Sequence, residues 1–295
     1  MPRYDARPEA LKPSAELLAP DPPDILMNRP LHWDPETLWQ TLEPLAPGLS
    51  VEILPETGST STTLLERSRR GLTEPALLVA ERQTAGRGRL GRSWWSDAAP
   101  GSALTFSLGL RLAPADWSGL SLVVGLTLAE ALDPAGEHLG LKWPNDLWLR
   151  GQDRKLGGLL IEVAPLADAL SAQERWLVIG VGLNIAPLPA GTADPALFRT
   201  GHAGLQEIDP ALDAPAALHR VAAPLLRAVL DFGAQGGAAA LARFATRDVL
   251  AGRRVQVGEL AGIASGIAHD GALLLRDEAG RLQVVHSGEA SVRPC

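Results

Sequence analysis

Gln83-Thr84-Ala85-Gly86-Arg87-Gly88-Arg89-Leu90-Gly91-Arg92-Ser93-Trp94-Trp95 decides what kind of α/β protein this chain forms. Its glycines free the backbone and its arginines supply positive charge, so the segment can wrap an anion with N–H groups and guanidinium forks. Gly86, Gly88 and Gly91 also spell the G-x-G-x-x-G fingerprint of dinucleotide-binding sheets. That fingerprint needs a helix opening at the third glycine, with the pyrophosphate on its N-terminus. Here WWSDAAPG follows, and then the strand-like Leu104–Leu110 (LTFSLGL), so a Rossmann sheet is not the reading. An RNA-binding Arg/Gly tail is disfavoured too, because such tails are repetitive and disordered and this segment lies between two strands. On these residues alone, a solvated loop remains the alternative.

Outward from the loop the pattern is that of a mixed α/β domain. Ala76–Glu81 and Leu104–Leu110 read as strands, Gly119–Leu132 as a buried helix, and Leu139–Trp143, Leu147–Leu149, Lys155–Val163 and Arg175–Leu183 as four further strands. Ala214–Phe232 and Gly237–Asp248 are predicted helices. From Ala251 on, RRVQVGEL, ASGIAHDG, ALLLRDE and RLQVVHSGE alternate with Gly-containing turns, which fits a small all-β barrel. Eleven of the 24 prolines fall in the first 55 residues and break helices there, so residues 1 to about 30 read as a flexible extension. One short helix is expected over 32–46, opened by Asp34-Pro35.

Composition narrows the function. The net charge of -7 argues against a general nucleic-acid binder, so an anionic ligand must be held by a local cluster of cations. The one cysteine, Cys295, excludes an intrachain disulfide framework and points to a reducing cytoplasm. No signal peptide or bilayer-spanning run is visible. The six histidines stand at no metal-ligand spacing, so a zinc site is not expected.

Four more segments carry polar chemistry. Lys142-Trp143-Pro144-Asn145-Asp146 sets a cation, an amide and a carboxylate around a turn. Lys142 could meet a phosphate and Asn145 or Asp146 could bind Mg²⁺; a plain polar turn is the alternative. In Arg154-Lys155-Leu156-Gly157-Gly158-Leu159, glycines inside a strand imply either a β-bulge or a ligand approaching beside Lys155. Ile179-Gly180-Val181-Gly182-Leu183-Asn184 lacks side chains on one face and leaves room for a flat ligand. Thr57-Gly58-Ser59-Thr60-Ser61-Thr62-Thr63 offers a helix cap, with hydroxyls that can also bond a polar ligand.

Taken in order, GRGRLGRSW, KWPNDL, RKLGGLLIE and GVGLNI resemble the biotin–protein ligase family from about Ser50 to the C-terminus. The resemblance implies a class II synthetase-like mixed-sheet catalytic domain over 50–249. It implies a small SH3-like β-barrel over 250–295, after a proline-rich extension over 1–49. It implies biotin and ATP as substrates, with Mg²⁺, and a biotin carboxyl carrier protein or domain as partner. Ser59, Thr60 and Ser61 sit where the family uses Ser-Thr-Asn to hold biotin; Ser61 replaces the Asn, and Gly58 stands where Asp is common. Gln83 and Trp94 match biotin-pocket residues. Arg87, Gly88 and Arg89 match the loop that closes over the biotin carboxylate and the adenylate phosphate, and Lys155 the lysine that bridges them. Lys142, Asn145 and Asn184 match the neighbourhood of the ATP phosphates.

The implied reaction joins two anions, the biotin carboxylate and the α-phosphate, so Arg87, Arg89 and Lys155 would act by neutralising their repulsion. The proline-rich N-terminus lacks the three patterned helices of a winged helix-turn-helix, so a DNA-binding repressor is not expected. A homodimer through a sheet edge stays open. The rival enzyme is a lipoate–protein ligase or octanoyltransferase of similar fold, and the rival of another class is a biotin-binding regulator.

Overall fold

The computed structural model describes residues 31–94, 99–188, 201–286 and 292–294. The expected extension over 1–30 and Trp95 lie outside the described residues. In chain order the elements are α1 (Pro35–Leu42), β1 (Ser50–Thr57), α2 (Thr60–Arg69), β2 (Ala76–Gln83), β3 (Ala103–Leu112), α3 (Leu120–Leu132), β4 (Leu139–Lys142), β5 (Asp146–Leu149), β6 (Arg154–Pro165) and β7 (Arg175–Asn184). They continue with α4 (Ala214–Gln235), α5 (Ala238–Leu241), β8 (Arg254–Val257), β9 (Leu260–Ile267), β10 (Leu273–Arg276), β11 (Leu282–Val285) and β12 (Val292–Pro294).

Strands β1 to β7 form one mixed sheet in the order β1-β2-β3-β7-β6-β5-β4. The β1–β2 pair is parallel, connected through α2, and the other neighbours are antiparallel. Strict alternation divides the two faces. Leu104, Phe106, Leu108 and Leu110 of β3, with Leu177, Ile179, Val181 and Leu183 of β7, join the main core with α1, α3 and α4. The opposite face carries Thr105, Ser107 and Gly109 on β3 and Trp176, Val178, Gly180 and Gly182 on β7, and is covered at one end by Leu64 and Leu65 of α2. Polar residues and glycines therefore gather on one face because the other is committed to the core.

Local sequence explains the helix boundaries. Asp34 accepts from the Thr37 N–H ahead of Pro35, as expected for α1. Asp213 caps α4, whose Leu218, Val221, Leu225, Val229 and Phe232 bury one stripe. α3 is buried almost all round because it is packed between the sheet and α4.

The helix expected over Gly237–Asp248 is not formed as such. Only Ala238–Leu241 is α-helical, a single 3₁₀ turn follows at Phe244–Thr246, and Asp248 makes one isolated parallel bridge with Leu141 of β4. Leu141 N–H donates to Arg247 O at 2.7 Å and Val249 N–H to Leu141 O at 3.1 Å, so tertiary pairing overrides helical periodicity there. Arg247 is clamped to Asp133 at 3.0 Å and to the carbonyl of Leu139 at 3.1 Å, with both charged side chains about 5% exposed.

The C-terminal strands form an antiparallel sheet in the order β11-β10-β9-β8-β12. Its Val255, Val257, Leu273, Leu275 and Val292 belong to the same core as the large sheet. The β9–β10 turn reaches the segment after β4: Trp143, fully buried, donates its Nε1–H to Gly271 O at 2.9 Å. No helix among the described residues is long and apolar enough to cross a membrane.

Candidate active site

Four strands bring the site together on the face that α2 only partly covers. The pairings Thr105↔Gly182, Gly182↔Gly158 and Gly158↔Asp146 draw one row across β3, β7, β6 and β5. The next row sets Ser107 beside Gly180. The N-terminus of α2 sits over these rows. Ser59 caps it, accepting from Thr62 N–H at 3.5 Å, and Ser59, Thr60 and Ser61 are all buried. Gln83 Oε1 accepts from Thr60 N–H at 2.8 Å and from its hydroxyl at 3.2 Å. Ser107 Oγ lies 2.7 Å from Thr60 Oγ1 and 2.9 Å from Ser61 Oγ. The result is a buried network of hydroxyls and one amide at a helix N-terminus.

Gly180 and Gly182 make the room expected on β7, and protein groups occupy it. A methyl at Gly180 would press on Ser61 Oγ. One at Gly182 would stand 2.6 Å from Cζ2 and 2.8 Å from Nε1 of Trp94, so the flat group against this strand is an indole of the protein itself. The Trp94 Nε1–H is buried with no hydrogen-bond partner among the described residues. On β6, the pairing shifts register between Leu147 and Trp148, so a bulge accounts for the neighbouring glycines. A methyl at Gly157 would meet Gly182 O at 2.7 Å, and the Lys155 side chain folds over Gly158.

The arginine–glycine segment is a closed hairpin. Trp94 N–H donates to Gly86 O at 2.9 Å, Gly88 N–H to Arg92 O at 2.7 Å and Arg92 N–H to Arg89 O at 3.2 Å. Its tip, a 3₁₀ turn at Arg89–Gly91, places Leu90 and Gly91 at φ 57° and 69°. Several N–H groups expected to face an anion are thus used inside the hairpin. Arg87 reaches Glu162 at 2.8 Å and Thr62 at 3.2 Å, and Arg89 reaches Asn145 Oδ1 at 3.3 Å.

Cations converge on Asp146. Lys155 Nζ lies 2.7 Å and Lys142 Nζ 3.9 Å from its carboxylate. Lys142 packs 5.2 Å from the Trp148 ring centroid and Lys155 5.8 Å from that of Trp94. Burial pulls the Lys142 ammonium below the ordinary lysine value; Asp146 opposes this, and the charges of Lys155, Arg92 and Arg89 add to it. Burial likewise lowers Arg89, with Asp146 opposing and Arg92 reinforcing. Asn145 donates to Leu159 O at 2.7 Å. Asn184 donates to Lys155 O at 3.3 Å and Ala203 O at 3.0 Å, tying the segment after residue 200 to β6.

The structure therefore gathers Ser59, Thr60, Ser61 and Gln83 into one network and Arg89, Lys142, Asn145 and Lys155 into another. Trp94 lies between them, Arg87 and Gly88 belong to the hairpin, and Asn184 lies at the β6–β7 edge. Two residues beside these networks were not singled out from sequence. Ser107 is a lone serine in an apolar strand, and its phase with Thr105 and Gly109 was the available signal. Glu162 interrupts an apolar run, and nothing in its spacing announces Arg87 as its partner.

Residues 54–184 match the biotin/lipoate A/B protein ligase family, and residues 252–293 match the biotin protein ligase C-terminal domain. The chain is 37% identical over 255 residues to the bifunctional ligase/repressor BirA of Escherichia coli (strain K12), covering 83% of this chain and 75% of that protein. It is 33% identical over 255 residues to the biotin--[acetyl-CoA-carboxylase] ligase of Mycobacterium tuberculosis, covering 81% and 87%. Among solved structures it is similar to the biotin protein ligase of Aquifex aeolicus in complex with biotin and ATP, at 30% identity and a TM-score of 0.66, covering 83% and 99%.

Proposed function

The chain belongs to the biotin/lipoate A/B protein ligase family, and from that premise we infer the reaction its site performs. It is a biotin–[acetyl-CoA-carboxylase] ligase: it forms biotinyl-5′-AMP from biotin and ATP and passes the biotin to a lysine of a carrier protein. The observation that carries this reading is the adjoining pair of networks, neutral hydroxyls at the start of α2 and buried cations around Asp146.

A urea-like ring is neutral and rich in donors and acceptors, which suits Ser59, Thr60, Ser61, Gln83 and Ser107. The carboxylate at the other end of biotin and the α-phosphate of ATP are both anions and repel. Lys142, Lys155 and Arg89 would offset that repulsion and stabilise the charge that gathers on the phosphoryl oxygens as the carboxylate oxygen attacks and pyrophosphate leaves. Burial and mutual repulsion disfavour the charge on Lys142 and Arg89, so a bound anion would offset that cost. Arg87 and Gly88 would serve by forming the hairpin that covers the adenylate, and Trp94 would shift off Gly182 to line the biotin tail. Asn184 would hold the segment after residue 200 beside the nucleotide.

The oxygen donors here are one carboxylate, Asp146, and one amide, Asn145, already beside three cations. They fit a magnesium ion that arrives with the phosphates rather than one bound in advance. Such an ion would withdraw charge from the phosphate oxygens. The proposed setting is the cytoplasm, and the proposed partner the biotin-carrier domain of a carboxylase.

The test is ATP–pyrophosphate exchange by the purified protein with biotin, lipoate, octanoate or no acid. Exchange dependent on biotin alone is expected. Exchange with lipoate instead would move the chain to the lipoate branch of the family, and no exchange with any acid would overturn the ligase reading.

A further inference from the structure

We propose that Glu162 is the positioning residue that latches the arginine–glycine hairpin over the site through Arg87. The proposal rests on the reading that an acyl-adenylate forms beneath that hairpin. One guanidinium joins three elements: Arg87 belongs to the hairpin, its Nη2 meets Glu162 Oε1 of β6 at 2.8 Å, and its Nη1 meets Thr62 Oγ1 of α2 at 3.2 Å. Thr62 follows directly on the buried Ser59–Ser61 run, and Glu162 lies on the site's face of β6, in alternation with Gly158 and Leu160. The latch therefore bridges the two walls between which a ligand must sit. Arg89 lies farther in, beside Asn145, so the two arginines of the hairpin divide the work: one anchors, the other faces the phosphates.

Glu162 also has capacity to spare. Its Oε2 is buried with no hydrogen-bond partner among the described residues. If Arg87 turned Nη1 from the neutral Thr62 hydroxyl to that anionic oxygen, the guanidinium would meet both oxygens of one carboxylate and the pair would become bidentate. Glu162 thus keeps one acceptor in reserve for the hairpin's arginine.

Glu162→Gln keeps the shape and removes the charge. Release of biotinyl-AMP into solution without carrier is expected to rise about fivefold, the scale of a partly exposed ion pair, while biotin-dependent pyrophosphate exchange is retained. Arg87→Ala should raise release as well, and the double variant should release no faster than Arg87→Ala alone. Wild-type release by Glu162→Gln, or effects that multiply in the double variant, would overturn the latch. Tryptic cleavage after Arg87, Arg89 or Arg92 in the ligand-free protein needs no catalysis, and it should be faster in Glu162→Gln. If the wild type lacks biotin-dependent exchange the ligase reading falls, and the cleavage rates still decide the latch by themselves.

Discussion

Replacing Gly180 by alanine tests how the hydroxyl network is built. The backbone at Gly180 is ordinary extended strand, so the substitution adds no conformational strain. The new methyl carbon would stand about 1 Å inside contact distance of Ser61 Oγ, while its other neighbours, the carbonyl and Cβ of Leu160, lie at ordinary contact distances of 3.5 and 3.6 Å. Ser61 must therefore rotate away, and its 2.9 Å contact with Ser107 is lost. A buried hydroxyl left without its partner costs about 1–3 kcal/mol. For a chain of this size that corresponds to a fall in Tm of about 2–12 °C. On the proposed role of this network in holding biotin, displacing the Ser61 hydroxyl should also weaken biotin roughly tenfold. Thermal melts and calorimetric titration with biotin measure the two effects separately. Ser61→Ala added to Gly180→Ala removes the obstructing oxygen, so stability should return while biotin affinity does not. Gly180→Ala with wild-type stability, or a double variant with no recovery, would refute the reasoning.

Three further expectations follow from the same contacts. Arg247→Met leaves Asp133 buried without its guanidinium and should cost about 3–5 kcal/mol in chemical denaturation. Burial pushes the Asp133 carboxyl up, but the N–H groups of Leu139 and His138 and the charge of Arg247 together hold it below 3.8. Its contribution is therefore present above 3.8 and lost as pH falls through the lowered value, and the deficit of the variant should narrow there. Lys142→Met should abolish most pyrophosphate exchange yet raise the Tm of the ligand-free protein, because burial beside Lys155, Arg92 and Arg89 makes the charge costly. With its pKa lowered, wild-type Lys142 sheds its proton before 10.5, so that gain should fade as pH rises toward 10.5. Arg89→Gly should leak biotinyl-AMP, read by chromatography of the solution phase, and tight retention would refute the placing of Arg89 against the adenylate phosphate.

Much of the fold was legible because its signals are local. The alternation in LTFSLGL and the caps Asp34, Ser59 and Asp213 state strand faces and helix starts within a few residues. The site motifs were legible as segments, since glycine and charge inside apolar strands are conspicuous. What could not be read was who faces whom. Sequence left β7 with a bare face for a ligand, but the indole against Gly182 comes from a hairpin 88 residues upstream. Glu162 and Arg87 are separated by 75 residues, and no periodicity encodes their meeting. The helix expected at Gly237–Asp248 failed for the same reason, because Leu141 of β4 supplies the hydrogen bonds that residues 247–249 would otherwise make within a helix.

That pairing has a further consequence. β4 is the last strand on its side of the large sheet, and an open strand edge invites other chains to add to it. Residues 247–249 lie along it as a borrowed selvedge, fastened by Arg247 to the end of α3, on the way to the C-terminal sheet. Cutting the chain just before this segment would unhem the sheet at the strand that leads into Lys142. An engineer wishing to exchange the C-terminal sheet for another module should therefore place the junction after Val249, and keep Trp143 supplied with a carbonyl where Gly271 now stands.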